Sequence, residues 1–107
     1  MSDQKKTRRQ MLEELVAQKP EDAFSRYGLA MECMNSGDST AADIHFRALL
    51  ERHADYIPAY LMYAQFLARE SRAAEARQIL TTGIAAANQK HDDHARSEME
   101  SLLNDLS

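Results

Sequence analysis

The chain has 107 residues, with 17 acidic against 13 basic side chains and a formal net charge of −4. The length fits one domain and lies above the range in which small folds depend on disulfide or metal staples; the acidic balance argues against general nucleic-acid binding, which needs a basic surface. A single cysteine, Cys33, excludes an intrachain disulfide and fits a reducing compartment. No apolar run approaches the ~20 residues of a membrane span, and Met1 to Lys6 lack the apolar core of a signal peptide; the sequence reads as cytoplasmic, soluble and without a membrane partner.

The first predicted helix covers residues 3–18. Met11, Leu12, Leu15 and Val16 recur at helical spacing and give it one apolar face. Lys5, Lys6, Arg8 and Arg9 precede them and read as a solvated N-terminal run. Pro20 closes the helix, because the residue before a proline resists the helical conformation.

A second helix is predicted from about Asp22, a good N-cap residue, to about Asn35, with Leu29, Ala30 and Cys33 facing inward. Ser36, Gly37, Asp38 and Ser39 are turn chemistry: the glycine supplies a left-handed C-cap, and Asp38 or Ser39 caps the next helix. That partner helix runs from about Thr40 to His53, packed through Ala42, Phe46, Leu49 and Leu50. Small residues at Ala30 and Ala42 allow close helix approach; larger ones would cost roughly 1–3 kcal/mol in overpacking.

The next stretch repeats the last. Shifted by 34 residues, Leu29 falls on Tyr63, Ala30 on Ala64, Cys33 on Leu67, Gly37 on Ser71, Ala42 on Ala76 and Phe46 on Leu80. Pro58 sits in a first helical turn, where its missing N–H costs nothing. Gly83 lies mid-helix at a cost of about 1 kcal/mol relative to alanine, and marks a close crossing of a neighbouring helix. After Asn88 the register ends. His91 to Asp93 reads as a turn with Asp92 or Asp93 as cap. A last helix extends from there to about Leu106, with an apolar stripe of Ala95, Met99, Leu102, Leu103 and Leu106 opposite Arg96, Glu98, Glu100 and Asp105.

A 34-residue period with this spacing is the mark of a stacked helix–turn–helix repeat. The residues Tyr60-x2-Tyr63-Ala64-x2-Leu67 with Ala76-x3-Leu80, and Arg26-x2-Leu29-Ala30-x2-Cys33 with Ala42-x3-Phe46, resemble the tetratricopeptide pattern. The chain is similar to small two-repeat bacterial proteins of that family. Arg26 stands where a bulky aromatic is usual, Cys33 is small for its position, and Ala54 and Asn88 replace the terminal proline. The resemblance implies an all-α fold: a right-handed stack of antiparallel helix pairs, about six helices in a single domain over 1–107. Its parts are an N-terminal capping helix in 1–20, repeats in 23–56 and 57–90, and a C-terminal capping helix in 91–107. Caps are needed because each repeat buries its apolar face only against a neighbour.

The same resemblance implies a binding groove lined by the first helix of each repeat. By position its residues are Phe24, Tyr27, Gly28, Met31, Met34 and Asn35, then Pro58, Leu61, Met62, Gln65, Ala68 and Arg69. The expected anchors are Phe24, Tyr27, Met31, Met34, Leu61 and Met62, with Gln65 and Arg69 orienting the ligand. Such an apolar lining suits a partner protein or peptide, and methionine adapts to more than one shape. Alternatively a second copy of the chain fills the groove as a homodimer, or a terminal helix folds over part of it. The carboxylate clamp of some family members needs Lys, Arg and Asn where this chain has Tyr27, Met31 and Met62, so no clamp is expected.

No cofactor, metal or catalytic group is expected. His91 and His94, with Asp92 and Asp93 between them, have weak zinc-ligand spacing and read as a polar helix start. His45 and His53 read as surface positions, and Cys33 as a buried, inert thiol. Glycine-rich phosphate loops and nucleophile motifs are absent, so the sequence reads as that of a non-enzymatic adaptor.

Overall fold

The structure, a computed structural model, describes residues 5–106. Among them it has helices and no strands: α1 (Arg8–Gln18), α2 (Ala23–Asn35), α3 (Ser39–Arg52), α4 (Ile57–Arg69), α5 (Ala73–Gln89) and α6 (Asp93–Asp105). The chain divides into two compact units, one ending at Arg52 and the other beginning at His53. In the first, α2 packs on α3 and α1 packs on α2; in the second, α4 packs on α5, and α6 lies on α5 with a lighter contact to α4. Connections this short force neighbouring helices into antiparallel pairs.

The 34-residue register is visible in the packing. Leu29, Ala30, Cys33, Ala42 and Phe46 form the core of the first unit; Tyr63, Ala64, Leu67, Ala76 and Leu80 occupy the equivalent places in the second. The small pairs Ala30 with Ala42 and Ala64 with Ala76 are all fully buried, as close helix approach requires. The turns match as well. Gly37 and Ser71 have φ of 83° and 62°. Behind each, the next residue donates its N–H to the helix end, Asp38 to the Cys33 carbonyl at 2.9 Å and Arg72 to the Leu67 carbonyl at 2.8 Å. This is the left-handed C-cap that saturates the last carbonyls of a helix. His91, with φ of 56°, ends α5 in the same way, and Asp92 then donates to the Ala87 carbonyl.

Arg26 and Tyr60 occupy one repeat position, and the structure explains the unlike pair. The Tyr60 hydroxyl donates to the Ala54 carbonyl at 2.6 Å. The Arg26 guanidinium donates to the Pro20 carbonyl at 3.3 Å. Pro20 and Ala54 are themselves repeat equivalents, so the arginine makes the same tie to the preceding loop as the aromatic residue does.

Gly83 is the close crossing expected from its place in mid-helix. A Cβ there would stand 2.6 Å from the Cβ of Tyr60 on α4 and 2.6 Å from the Sδ of Met99 on α6. Met99 is the buried residue of α6, and the rest of its apolar stripe is half-buried.

Three expectations are corrected. The first helix starts at Arg8, since Thr7 and Gln10 form a reciprocal capping box that fixes the start there; residues 3 and 4 of the expected helix lie outside the described residues. The basic run is paired rather than merely solvated: Lys6 meets Glu14, Arg8 meets Glu32, and Arg9 meets both Glu13 and Asp38. His45 and His53 are half-buried rather than surface residues, and His45 Nδ1 and His53 Nε2 are buried without a hydrogen-bond partner.

Candidate partner-binding face

Three sides of α2 have different neighbours. Ser25, Leu29, Ala30 and Cys33 are buried, on the side that meets α3. A second side lies under α1: Arg8 reaches Glu32 at 3.2 Å, and a Cβ on Gly28 would meet Leu12 of α1 at 3.2 Å. Gly28 is therefore a contact point for the N-terminal helix and not part of an open groove. Its missing side chain lets Leu12 settle close to the α2 backbone.

The third side carries Phe24, Tyr27, Met31 and Met34, one turn or less apart along the helix. Phe24 is 73% exposed; the other three are half-buried and Asn35 is exposed. No residue of this side is charged. Fully covering one such side chain is worth about 1.5–3 kcal/mol, so leaving four of them in contact with water is costly without a use for the face.

Helix α1 adds exposed apolar residues of its own. Arg9, on one flank of α1, donates to Asp38 at the head of α3 at 2.9 Å. By helical spacing Met11 and Leu15 lie on the opposite flank of α1. They are 49% and 41% exposed. Periodicity puts both on the packed face of α1 with Leu12 and Val16, but only those two are half-buried. The signal is a stripe of four apolar positions, wider than one neighbouring helix covers. Ile44, 58% exposed on α3, carries no such signal in the sequence.

In the second unit Leu61 and Met62 are half-buried on α4, while Pro58, Gln65 and Arg69 are exposed. The C-terminal helix approaches this face. Leu61 and Gln65 line a cleft of about 320 Å³ together with Glu98, Ser101, Leu102 and Asp105 of α6. The cleft is not legible from α4 alone, because it depends on where α6 lies.

The electrostatics around the α2 face belong to its supports. Asp38 is held below the ordinary carboxylate range by the Ala41 backbone N–H and by Arg9. Asp22 is lowered by the Ser25 hydroxyl. Burial, with Arg26 and Arg9 adding to it, holds His45 below its ordinary value, and burial raises the Cys33 thiol. His94 Nε2 stands 3.4 Å from Glu98, and His91 is exposed at the end of α5. Among the described residues no three His, Cys, Asp or Glu side chains gather at metal-binding distance, and no helix is long and apolar enough to cross a membrane.

No family model matches the chain. A Pseudomonas aeruginosa protein named "TPR repeat-containing protein" is 27% identical over 95 residues, which span 89% of this chain and 90% of that protein. A Bordetella parapertussis protein of known solution structure superposes with a TM-score of 0.80 at 26% identity, covering 95% of this chain and 89% of the other. The repeat pattern, the paired helices and these two likenesses agree.

Proposed function

We propose that this chain, a small tetratricopeptide-type repeat protein by its sequence period, its helix pairs and its relatives, works as a non-enzymatic protein-interaction adaptor. It takes a partner peptide or helix on the apolar faces of α2 and α4. The observation that carries this reading is the uncharged α2 side with Phe24 at 73% exposure beside Tyr27, Met31 and Met34. The name of the Pseudomonas relative supports a protein-interaction role of this kind. Phe24, Tyr27, Met31, Met34, Leu61 and Met62 are the anchors, and Gln65 and Arg69 orient the partner. Met11 and Leu15 extend the anchor set beyond the residues that the repeat pattern supplies.

The lone free cysteine fits a cytoplasmic setting, and the acidic balance gives no support to nucleic-acid binding. The test is a purified partner, obtained by affinity capture and then titrated against the wild-type chain and a Tyr27→Ala plus Met62→Ala variant. Buried anchors of this type cost about 2 kcal/mol or more on truncation. A folded double variant that binds the partner as tightly as wild type would refute the assignment.

A further inference from the structure

Building on the reading of the α4 face as a partner surface, we propose that the cleft between α4 and α6 selects a basic, partly apolar peptide segment. Leu61 and Leu102, both half-buried, supply its apolar lining. Glu98 and Asp105, both exposed, stand on one face of α6 two turns apart, roughly 10 Å along the axis at ~1.5 Å per residue. The remaining lining groups are the Gln65 amide and the Ser101 hydroxyl, so no lining residue carries a full positive charge. Asp105 is also the last residue of α6; Arg77 already meets the carbonyl end of that helix at Leu106, so the attraction for a further cation comes from the two carboxylates.

Three cations stand near the cleft, and Arg77, which donates to the Leu106 carbonyl at 3.2 Å, lies outside its lining. His94 approaches Glu98 at 3.4 Å and forms an ion pair only when protonated. Arg69 lies one turn past Gln65 on α4, outside the lining. Two carboxylates alone would be an ordinary solvated surface. Here Leu102 lies between them along α6 and shares the cleft lining with Leu61, so an occupant can cover a leucine-like group there while lysine or arginine meets a carboxylate at each end. Like charges juxtaposed in the same place would be repelled. The uncharged α2 side has no such preference for the sign of its ligand.

The experiment titrates the full chain at low salt with two blocked fluorescent peptides, each with leucines at its centre. One carries lysines about two helical turns apart, and the other carries glutamates there. The lysine peptide is expected to bind about tenfold tighter than the glutamate peptide, and to weaken with salt. Glu98→Gln with Asp105→Asn should weaken it about threefold or more, and Leu61→Ser likewise, while Ile44→Ser, an exposed change on α3, leaves it unchanged. Glu98 and Asp105 are exposed, so their variant keeps the core; circular dichroism verifies this.

Failure of both peptides to bind, equal binding of the two, or indifference to the Glu98 and Asp105 changes would overturn the inference. Loss of binding in Ile44→Ser would also overturn it, by assigning the peptide to a surface outside the cleft. The wider reading is judged separately, by the natural partner and the Tyr27→Ala plus Met62→Ala variant. If that variant loses the partner while the peptides are indifferent to charge, only the inference about the cleft is wrong.

Discussion

Gly83→Ala sets helix propensity directly against packing. In an exposed helix interior the change would stabilise by about 1 kcal/mol. At this position the new Cβ would meet Tyr60 Cβ at 2.6 Å, Tyr60 Cγ at 2.8 Å and Met99 Sδ at 2.6 Å. Carbon contacts settle at about 3.5–4.0 Å, so each neighbour is short by about 1 Å. Met99 is flexible but fully buried, and the Tyr60 atoms are those nearest its backbone, so α4 itself has to shift. Tyr60 resists the shift because its hydroxyl is bonded to the Ala54 carbonyl at 2.6 Å. Clashes on two sides put the overpacking near the top of the usual range, about 3 kcal/mol. After the propensity gain the net loss is about 2 kcal/mol. Urea unfolding should show a lower midpoint at similar slope, and thermal melting a drop on the order of 10 °C for a chain of this size. A variant as stable as wild type, or more stable, would refute the close crossing of α4, α5 and α6.

Other expected outcomes test separate parts of the account. Ser71→Gly should stabilise and Gly37→Ala destabilise, each by roughly 1 kcal/mol, because both positions have positive φ; a destabilised Ser71→Gly or a stabilised Gly37→Ala in urea unfolding would contradict the shared cap. Thr7→Ala should cost about 1 kcal/mol by removing the α1 capping box, read as lower helicity and an earlier urea midpoint. His45 is held below its ordinary 6.5 by burial and by Arg26 and Arg9, against the smaller opposing pull of Glu13 and Asp38. The unfolded chain therefore takes up the proton first, and stability present above pH 6.5 is lost as the pH falls through the lowered folded value. Asp22 and Asp38 act only below 3.8, so comparing unfolding midpoints at pH 8 and 5 isolates the histidine, and His45→Gln should shrink the difference. The buried, raised Cys33 thiol should react with a disulfide reagent only as fast as the chain opens; fast labelling of the native protein would contradict its burial.

The repeat carried most of the legible structure. A residue pair such as Ala30 and Ala64 recurs because two helix crossings share one geometry, and both members are fully buried. Gly37 advertises its turn through chemistry that only glycine adopts freely, whereas Ser71 and His91 take the same conformation without advertising it. The N-terminal helix is harder to read. Its start is fixed by the Thr7–Gln10 capping box, and which apolar residues it buries depends on the docking of Leu12 against Gly28. Periodicity places Met11 and Leu15 on the same stripe as Leu12 and Val16, yet says nothing of how much of that stripe a neighbour covers. The α4–α6 cleft is invisible for the same reason: α6 lies outside the repeat register, so no repeat position fixes its approach. Arg26 looks like a departure from the pattern, but its long side chain reaches the same carbonyl position that Tyr60 reaches.

Methionine-methyl NMR with a purified partner tests the central claim most directly, because the chain carries its own probes. Met31 and Met34 lie on the open side of α2, Met62 on α4, and Met99 in the core. At saturating partner the Met31, Met34 and Met62 signals are expected to move while Met99 stays in place. Saturated binding that leaves those three signals unmoved would contradict the account and place the partner on another surface.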